Sequence, residues 1–234
     1  MIKNKLILYI GIKVLAVFIC HADRVALWPE GKIPDFQPHQ IAATNKEVKS
    51  KGFNRNEHTM AHLAWFDPPK KKNGACILLI TGGGYNACVD GLWIDRLTER
   101  FTELGYVCVN LTYRTPRPQS LPIYQSAWQD GQRAVRMIRK AAKDRGFDPD
   151  KIGALGFSAG SHMTVLLGTS SQTPAYQPID ELDKLPCHIN LAIPVYTAYA
   201  LTDGLTGRNT RDGDSIDVEL SDALQGCDEG ILET

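Results

Sequence analysis

The sequence has no excess charge of either sign: 26 Lys and Arg stand against 26 Asp and Glu over 234 residues. Proteins that hold nucleic acid carry a basic surplus or patch. The only basic block here, Lys70-Lys71-Lys72, precedes an apolar run and reads as a solvated loop, so no nucleic-acid partner is expected. Low-complexity tracts are also missing, and 43% of the residues are hydrophobic, which excludes a disordered chain. The cysteines at 20, 76, 88, 108, 187 and 227 include no C-x-x-C pair and no Cys/His spacing suited to zinc, so no metal is expected. Neither G-x-G-x-x-G nor G-x-x-x-x-G-K-[ST] occurs, which argues against a phosphate cradle and leaves no cofactor implied.

An uninterrupted apolar run of about 18 residues, the length needed to span a membrane as a helix, is missing too. The longest stretch, residues 6–20, is broken by Lys13 and preceded by Lys3 and Lys5. With Cys20-His21-Ala22 at its end, this segment reads as a secretory signal peptide over residues 1–22, cleaved near Asp23. Ile19 is too bulky to favour lipidation of Cys20. A secreted or periplasmic location follows, with residues 23–234 as a single domain. The leader carries three lysines and no acid, so the remainder has 23 basic residues (26 less 3) against 26 acidic ones. Cleavage would also leave five cysteines in an oxidising compartment. Cys76 and Cys108, inside apolar runs, are expected as buried thiols. One disulfide among Cys88, Cys187 and Cys227 stays open, since spacing does not choose it.

From residue 75 onward, short apolar runs alternate with longer amphipathic ones. Residues 75–80 form a continuous apolar run ending in glycines, the pattern of a strand covered on both faces. Trp93, Leu97, Phe101 and Leu104 outline one face of a helix that Gly105 ends. Residues 106–111 read as the next strand. After a Pro-rich loop at 115–122, Ala134, Ile138, Ala141 and Ala142 mark a second helix with arginines on its outer face. Strands at 152–157 and 189–195 flank a third helix at about 159–168. Such alternation implies βαβ units and a mostly parallel sheet, an α/β fold. Residues 59–66 are expected as an antiparallel edge strand. Beyond Tyr199 the pattern fades, with only Val218, Leu220 and Leu224 hinting at a short helix.

Chemistry concentrates in Gly156-Phe157-Ser158-Ala159-Gly160, a G-x-S-x-G pentapeptide between a strand and a helix. A tight turn there would lift the serine hydroxyl to the sheet's carboxyl edge, with small neighbours relieving the crowding. A helix starting immediately afterwards favours negative charge close by. The second element, Thr81-Gly82-Gly83-Gly84-Tyr85, follows another strand. Amides of Gly83, Gly84 and Ala159 are therefore candidate donors to a developing oxyanion, and Ser158 is the candidate nucleophile.

These segments, together with Leu27-Trp28-Pro29, Tyr113-Arg114, Asp130 and Arg133-Ala134-Val135-Arg136, resemble the α/β-hydrolase superfamily. The chain is similar to its secreted esterase/lipase branch, in particular carbohydrate-esterase-like proteins such as acetylxylan esterases. The resemblance runs from about Leu27 to Tyr199 and ends in Gly156-Phe157-Ser158-Ala159-Gly160-Ser161-His162. It implies an α/β-hydrolase fold and a serine esterase that acts on small-molecule or carbohydrate esters through a Ser158 acyl-enzyme. An arylformamidase or peptidase of the same fold, and a non-catalytic relative that lost its triad, remain alternatives. Thr81 stands where many relatives have histidine or proline, although backbone amides would do the work. Oligomeric state is not indicated.

In this fold the acid and the histidine follow the serine. Only His162 and His188 do so here. His162 is four residues into the helix and is expected to be structural; His188 falls at the opposite end of its strand. His39, His58 and His62 precede the serine, where the family places no base, and Asp203 and Asp212 are weak candidates for the acid. The expectation is therefore a chain lacking the last strand–helix units, with the triad acid and histidine beyond Thr234.

Overall fold

The structure, a computed structural model, describes residues 23–36, 48–50, 53–56, 58–118 and 120–197. The expected signal peptide, His39, Asp203, Asp212, Cys227 and the apolar triplet at 218–224 lie outside the described residues. In chain order the elements are β1 (Asp23–Ala26), β2 (Val48–Ser50), β3 (Phe53–Asn56), β4 (His62–Phe66), β5 (Cys76–Ile80) and β6 (Cys88–Asp90). Then come α1 (Leu92–Glu103), β7 (Val107–Thr112), α2 (Gln125–Arg145), β8 (Ile152–Phe157), α3 (Ala159–Thr169), a 3-10 turn (Glu181–Lys184) and β9 (Leu191–Val195).

Among the described residues, six strands form the main sheet in the order β1-β4-β7-β5-β8-β9. β7, β5, β8 and β9 run parallel, while β1 and β4 are antiparallel additions. The mostly parallel sheet with flanking helices is the one expected from the alternating pattern. The edge assignment is corrected: β4 pairs with both β1 and β7, so it lies inside the sheet and β1 forms the border. Residues 23–26 carry no strong alternation of their own, and only their pairing with residues 62–65 makes them a strand. A second, three-stranded antiparallel sheet, β2-β3-β6, was not legible in the sequence.

Side chains on successive strand residues point to opposite faces. In β5, Cys76, Leu78 and Ile80 enter one core with residues of α2 and α3, such as Ile138, Met163 and Leu166. Ile77 and Leu79 enter a second core with Ile94, Trp93, Leu97 and Phe101 of α1. Burial on both faces explains why β5 reads as an unbroken apolar run.

The outer-face reading of the α2 arginines is also corrected. Arg133 is 4% exposed and Arg139 is 9% exposed. Arg133 pairs with Asp180 (2.7 Å) and Asp183 (3.0 Å), and Arg139 donates to the Pro186 and His188 carbonyls. The segment at 170–190 folds over the helix and supplies acceptors that helical periodicity cannot anticipate.

Among the cysteines, Cys76 and Cys108 are buried thiols as expected. Cys88 and Cys187 are also free and buried, so no bridge joins them: the Cys88 thiol donates to the Tyr113 carbonyl and the Cys187 thiol to that of Ser171. Burial pushes all four thiols up, Cys108 to about 12, which keeps them protonated and unreactive. No helix among the described residues is long and apolar enough to cross a membrane.

Candidate active site

β8 passes into α3 through one residue, Ser158, at the carboxyl edge of the parallel strands. Its φ of 54° and ψ of −118° are unfavourable for an L-residue. The flanking glycines explain how so sharp a turn is accommodated. A Cβ on Gly156 would lie 2.1 Å from the Gly160 carbonyl oxygen and 2.3 Å from Thr164 Oγ1. One on Gly160 would lie 2.4 Å from the Ile80 carbonyl oxygen and 2.5 Å from that of Thr81. The motif's glycines are thus demanded by two close approaches: the helix start against its own strand, and against the end of β5.

Backbone bonds hold the turn. Ser158 N–H donates to the Val195 carbonyl at 3.1 Å, while Ser161 and His162 amides donate to the Ser158 carbonyl at 3.0 and 3.1 Å. The serine itself is half-buried. On one side Phe157 meets Trp93 edge-on at 4.8 Å and Tyr196 at 5.9 Å, forming an aromatic wall beside the turn.

The glycine run crosses directly over this turn. A Cβ on Gly82 would meet the Phe157 carbonyl oxygen at 2.8 Å and Ser158 Cβ at 2.9 Å. Gly83 has φ of 136°, and its Cβ would overlap the Ala87 carbonyl oxygen at 1.9 Å. Asn86 and Ala87 amides close the turn onto the Gly83 carbonyl, and Val89 N–H donates to that of Gly82. Among the described residues, neither the Gly83 nor the Gly84 amide donates to a protein acceptor. The structure therefore brings Ser158, Gly83, Gly84 and Ala159 to one edge, with the α3 N-terminus contributing partial positive charge.

The histidines divide by position. His162 is fully buried, its Nδ1 2.9 Å from the Tyr85 hydroxyl. Burial pushes its pKa down to about 4, so the ring is neutral at pH 7. His188 precedes β9 at the amino end of the parallel strands, where its carbonyl accepts from Arg139. His62 does lie at the serine's edge, because antiparallel β4 places it opposite Thr112. Yet β4 is three places from β8 in the sheet, beyond the reach of a hydrogen bond. His58 packs edge-on to His62 at 6.1 Å, with Asp90 3.9 Å from its Nε2. Burial lowers both pKa values; Asp90 opposes this, while Arg24 reinforces it. Among the described residues, no histidine or carboxylate hydrogen-bonds the Ser158 hydroxyl, and no His/Cys/Asp/Glu group could hold a metal.

Behind the site, Asp130 joins segments that the sequence pattern left separate. It accepts from Trp28 Nε1 (2.7 Å), the Arg114 amide (2.7 Å) and Arg114 Nε (2.9 Å), all buried. Burial pushes the carboxyl up from its ordinary value, and Arg114 is the strongest opposing influence. Arg114 also donates to Pro34, Ser126 and Gln129, so the loop after β7 is tied to the start of α2. An aspartate between glutamine and glycine in the second turn of a helix is the signal that could have found this network.

A family profile described as BD-FAE matches residues 64–222, which take in both glycine segments and Ser158. The chain belongs to the BD-FAE family. It is 34% identical to Esterase LipQ of Mycobacterium tuberculosis over 108 residues, 46% of this chain and 24% of LipQ. It is 30% identical to Endo-1,4-beta-xylanase B of Butyrivibrio fibrisolvens over 151 residues, 62% of this chain and 23% of that protein. An Acetylxylan esterase of Xylanibacter ruminicola is 26% identical over 134 residues, 56% of this chain and 27% of the esterase. The chain thus spans about a quarter of the length of these relatives. Butyrate-bound Est2 of Thermogutta terrifontis superposes with a TM-score of 0.54 at 21% identity, over 81% of this chain and 64% of that one. The acetyl ester-xyloside bifunctional hydrolase of Caldicellulosiruptor lactoaceticus gives 0.53 at 24% identity, over 74% and 56%. With this BD-FAE chain's sheet order and elbow, these superpositions establish the α/β-hydrolase fold.

Proposed function

We propose that this chain carries the nucleophile and oxyanion site of a serine hydrolase that cleaves carboxylic esters. The observation that carries the reading is Ser158, held in a strained turn beneath a glycine run in which the Gly83 and Gly84 amides meet no protein acceptor among the described residues. In this mechanism Ser158 Oγ attacks the ester carbonyl, and the oxyanion of the tetrahedral intermediate takes hydrogen bonds from Gly83, Gly84 and Ala159 amides. The intermediate collapses by expelling the alcohol, and water then cleaves the acyl-enzyme. The base that accepts the serine proton, and the acid that orients it, come from outside the described residues. Acyl groups on carbohydrates are the proposed substrates, supported by relatives named as an acetylxylan esterase and a xylanase. The apolar leader at residues 6–20, behind Lys3 and Lys5, supports export.

A fluorophosphonate probe tests the nucleophile. It is expected to label the full chain at Ser158 and to leave Ser158→Ala unlabelled. Equal labelling of both chains refutes the assignment, and labelling of neither favours a non-catalytic protein that kept the fold. Acetate release from acetylated xylan, compared with release from a simple aryl acetate, tests the substrate class.

A further inference from the structure

The proposed oxyanion donors belong to two separate segments: Gly83 and Gly84 follow β5, whereas Ala159 opens α3. Their separation must be held closely, since a misplacement of about 1 Å can cost on the order of a hundredfold in rate. Close glycine contacts set how near the segments come. They do not stop one from sliding along the other.

One side chain bridges the two. Tyr85 ends the glycine run with φ of 59° and is 1% exposed. Its hydroxyl donates to the Ala159 carbonyl at 2.8 Å and lies 2.9 Å from His162 Nδ1, one turn further along α3. Its own carbonyl accepts from the Arg117 amide at 2.9 Å, which anchors the other end. A phenol has one hydrogen, and the oxygen–oxygen contact with Ala159 requires it. Nδ1–H of His162 must therefore donate to the tyrosine oxygen, and a neutral, buried imidazole can carry its one proton there. Tyr124 packs edge-on against the imidazole at 5.5 Å, opposing its rotation.

We propose that Tyr85 and His162 form a positioning pair, a strut from the glycine run to the first turn of α3 that sets the spacing between the Gly83/Gly84 and Ala159 amides. This inference rests on the ester-hydrolase reading for its catalytic consequence, though not for its geometry. Neither residue touches the reacting atoms.

Two measurements on the full chain test it. Tyr85→Phe removes only the hydroxyl, and His162→Asn keeps an N–H near the Nδ1 position whereas His162→Leu does not. Amide NMR is expected to show Gly83, Gly84 and Ala159 shifted in Tyr85→Phe and His162→Leu, largely restored in His162→Asn, with central sheet amides unmoved. Turnover of a simple aryl ester is expected to fall about tenfold or more in kcat for Tyr85→Phe at nearly constant KM, as for loss of oxyanion stabilisation. Unmoved amides, or a kcat within twofold of the parent, overturn the strut. Shifted amides in a chain whose parent shows no Ser158-dependent turnover leave the strut standing and refute the esterase reading instead.

Discussion

Replacing Gly160 by alanine sets two effects against each other inside α3, and the structure decides which wins. An alanine in a helix is favoured over glycine by up to about 1 kcal/mol. Against that, the new Cβ would lie 2.4 and 2.5 Å from the Ile80 and Thr81 carbonyl oxygens. A carbon and an oxygen pack comfortably at roughly 3.3 Å or more. The start of α3 would therefore have to move off the end of β5 by nearly 1 Å, and both obstacles are backbone of a fully buried strand end. Overpacking of that kind costs roughly 1–3 kcal/mol or more, so the net expectation is about 1–2 kcal/mol of lost stability. For a chain of this size that is a fall in Tm of about 2–8 °C. The same helix supplies the control. A Cβ on Gly168 meets nothing nearer than Ala192 Cβ at 3.4 Å, an ordinary contact. Gly168→Ala is therefore expected to raise stability by about 0.5–1 kcal/mol through helix propensity alone. Circular-dichroism melts and urea titrations of the two variants, run side by side, measure both effects. Shifts of the same sign would refute the argument that contact between α3 and β5, rather than helix propensity, dictates the glycine at 160.

Other outcomes follow from the same structure. Because φ of 54° suits glycine, Ser158→Gly is expected to melt higher than Ser158→Ala by about 1 kcal/mol of relieved strain, with probe labelling abolished in both. His162 has its folded pKa lowered from 6.5 to about 4, so the unfolded chain binds the extra proton between those values and stability falls as pH drops through that window. The loss between pH 7 and pH 5 is about 2 kcal/mol, read from urea midpoints, and His162→Leu should flatten that limb; an unchanged slope would sink the assignment. Arg114→Met strands the fully buried Asp130 carboxylate without its guanidinium, and urea unfolding is expected to show a loss of about 3–5 kcal/mol.

Much of the site was legible because its signals are local. A G-x-S-x-G between an apolar run and a helix marks a turn whose backbone needs glycines within two residues on either side. The glycine run at 82–84 announced itself in the same way, and its placement over Ser158 follows from β5 and β8 being neighbours. The arginines of α2 show where such reading stops: helical period set them on one face, but whether that face meets solvent depended on residues 170–190 folding back. Burial made the same difference to Cys88 and Cys187, which sequence allowed as a bridge and the fold separates into unrelated contacts.

By itself, then, the sequence determined the β/α alternation and pointed to the candidate nucleophile and the candidate glycine-rich donor loop, since each is written in residues a few positions apart. Tertiary structure alone decided that β1 rather than β4 borders the sheet, that Asp130 gathers Trp28 and Arg114, and that Tyr85 reaches His162 across 77 positions. The physical reason is the range of the interactions involved. Periodicity and backbone sterics act within a turn or a strand. A strand's neighbour, a buried carboxylate's donors and a hydroxyl's acceptor are chosen only once distant segments have packed.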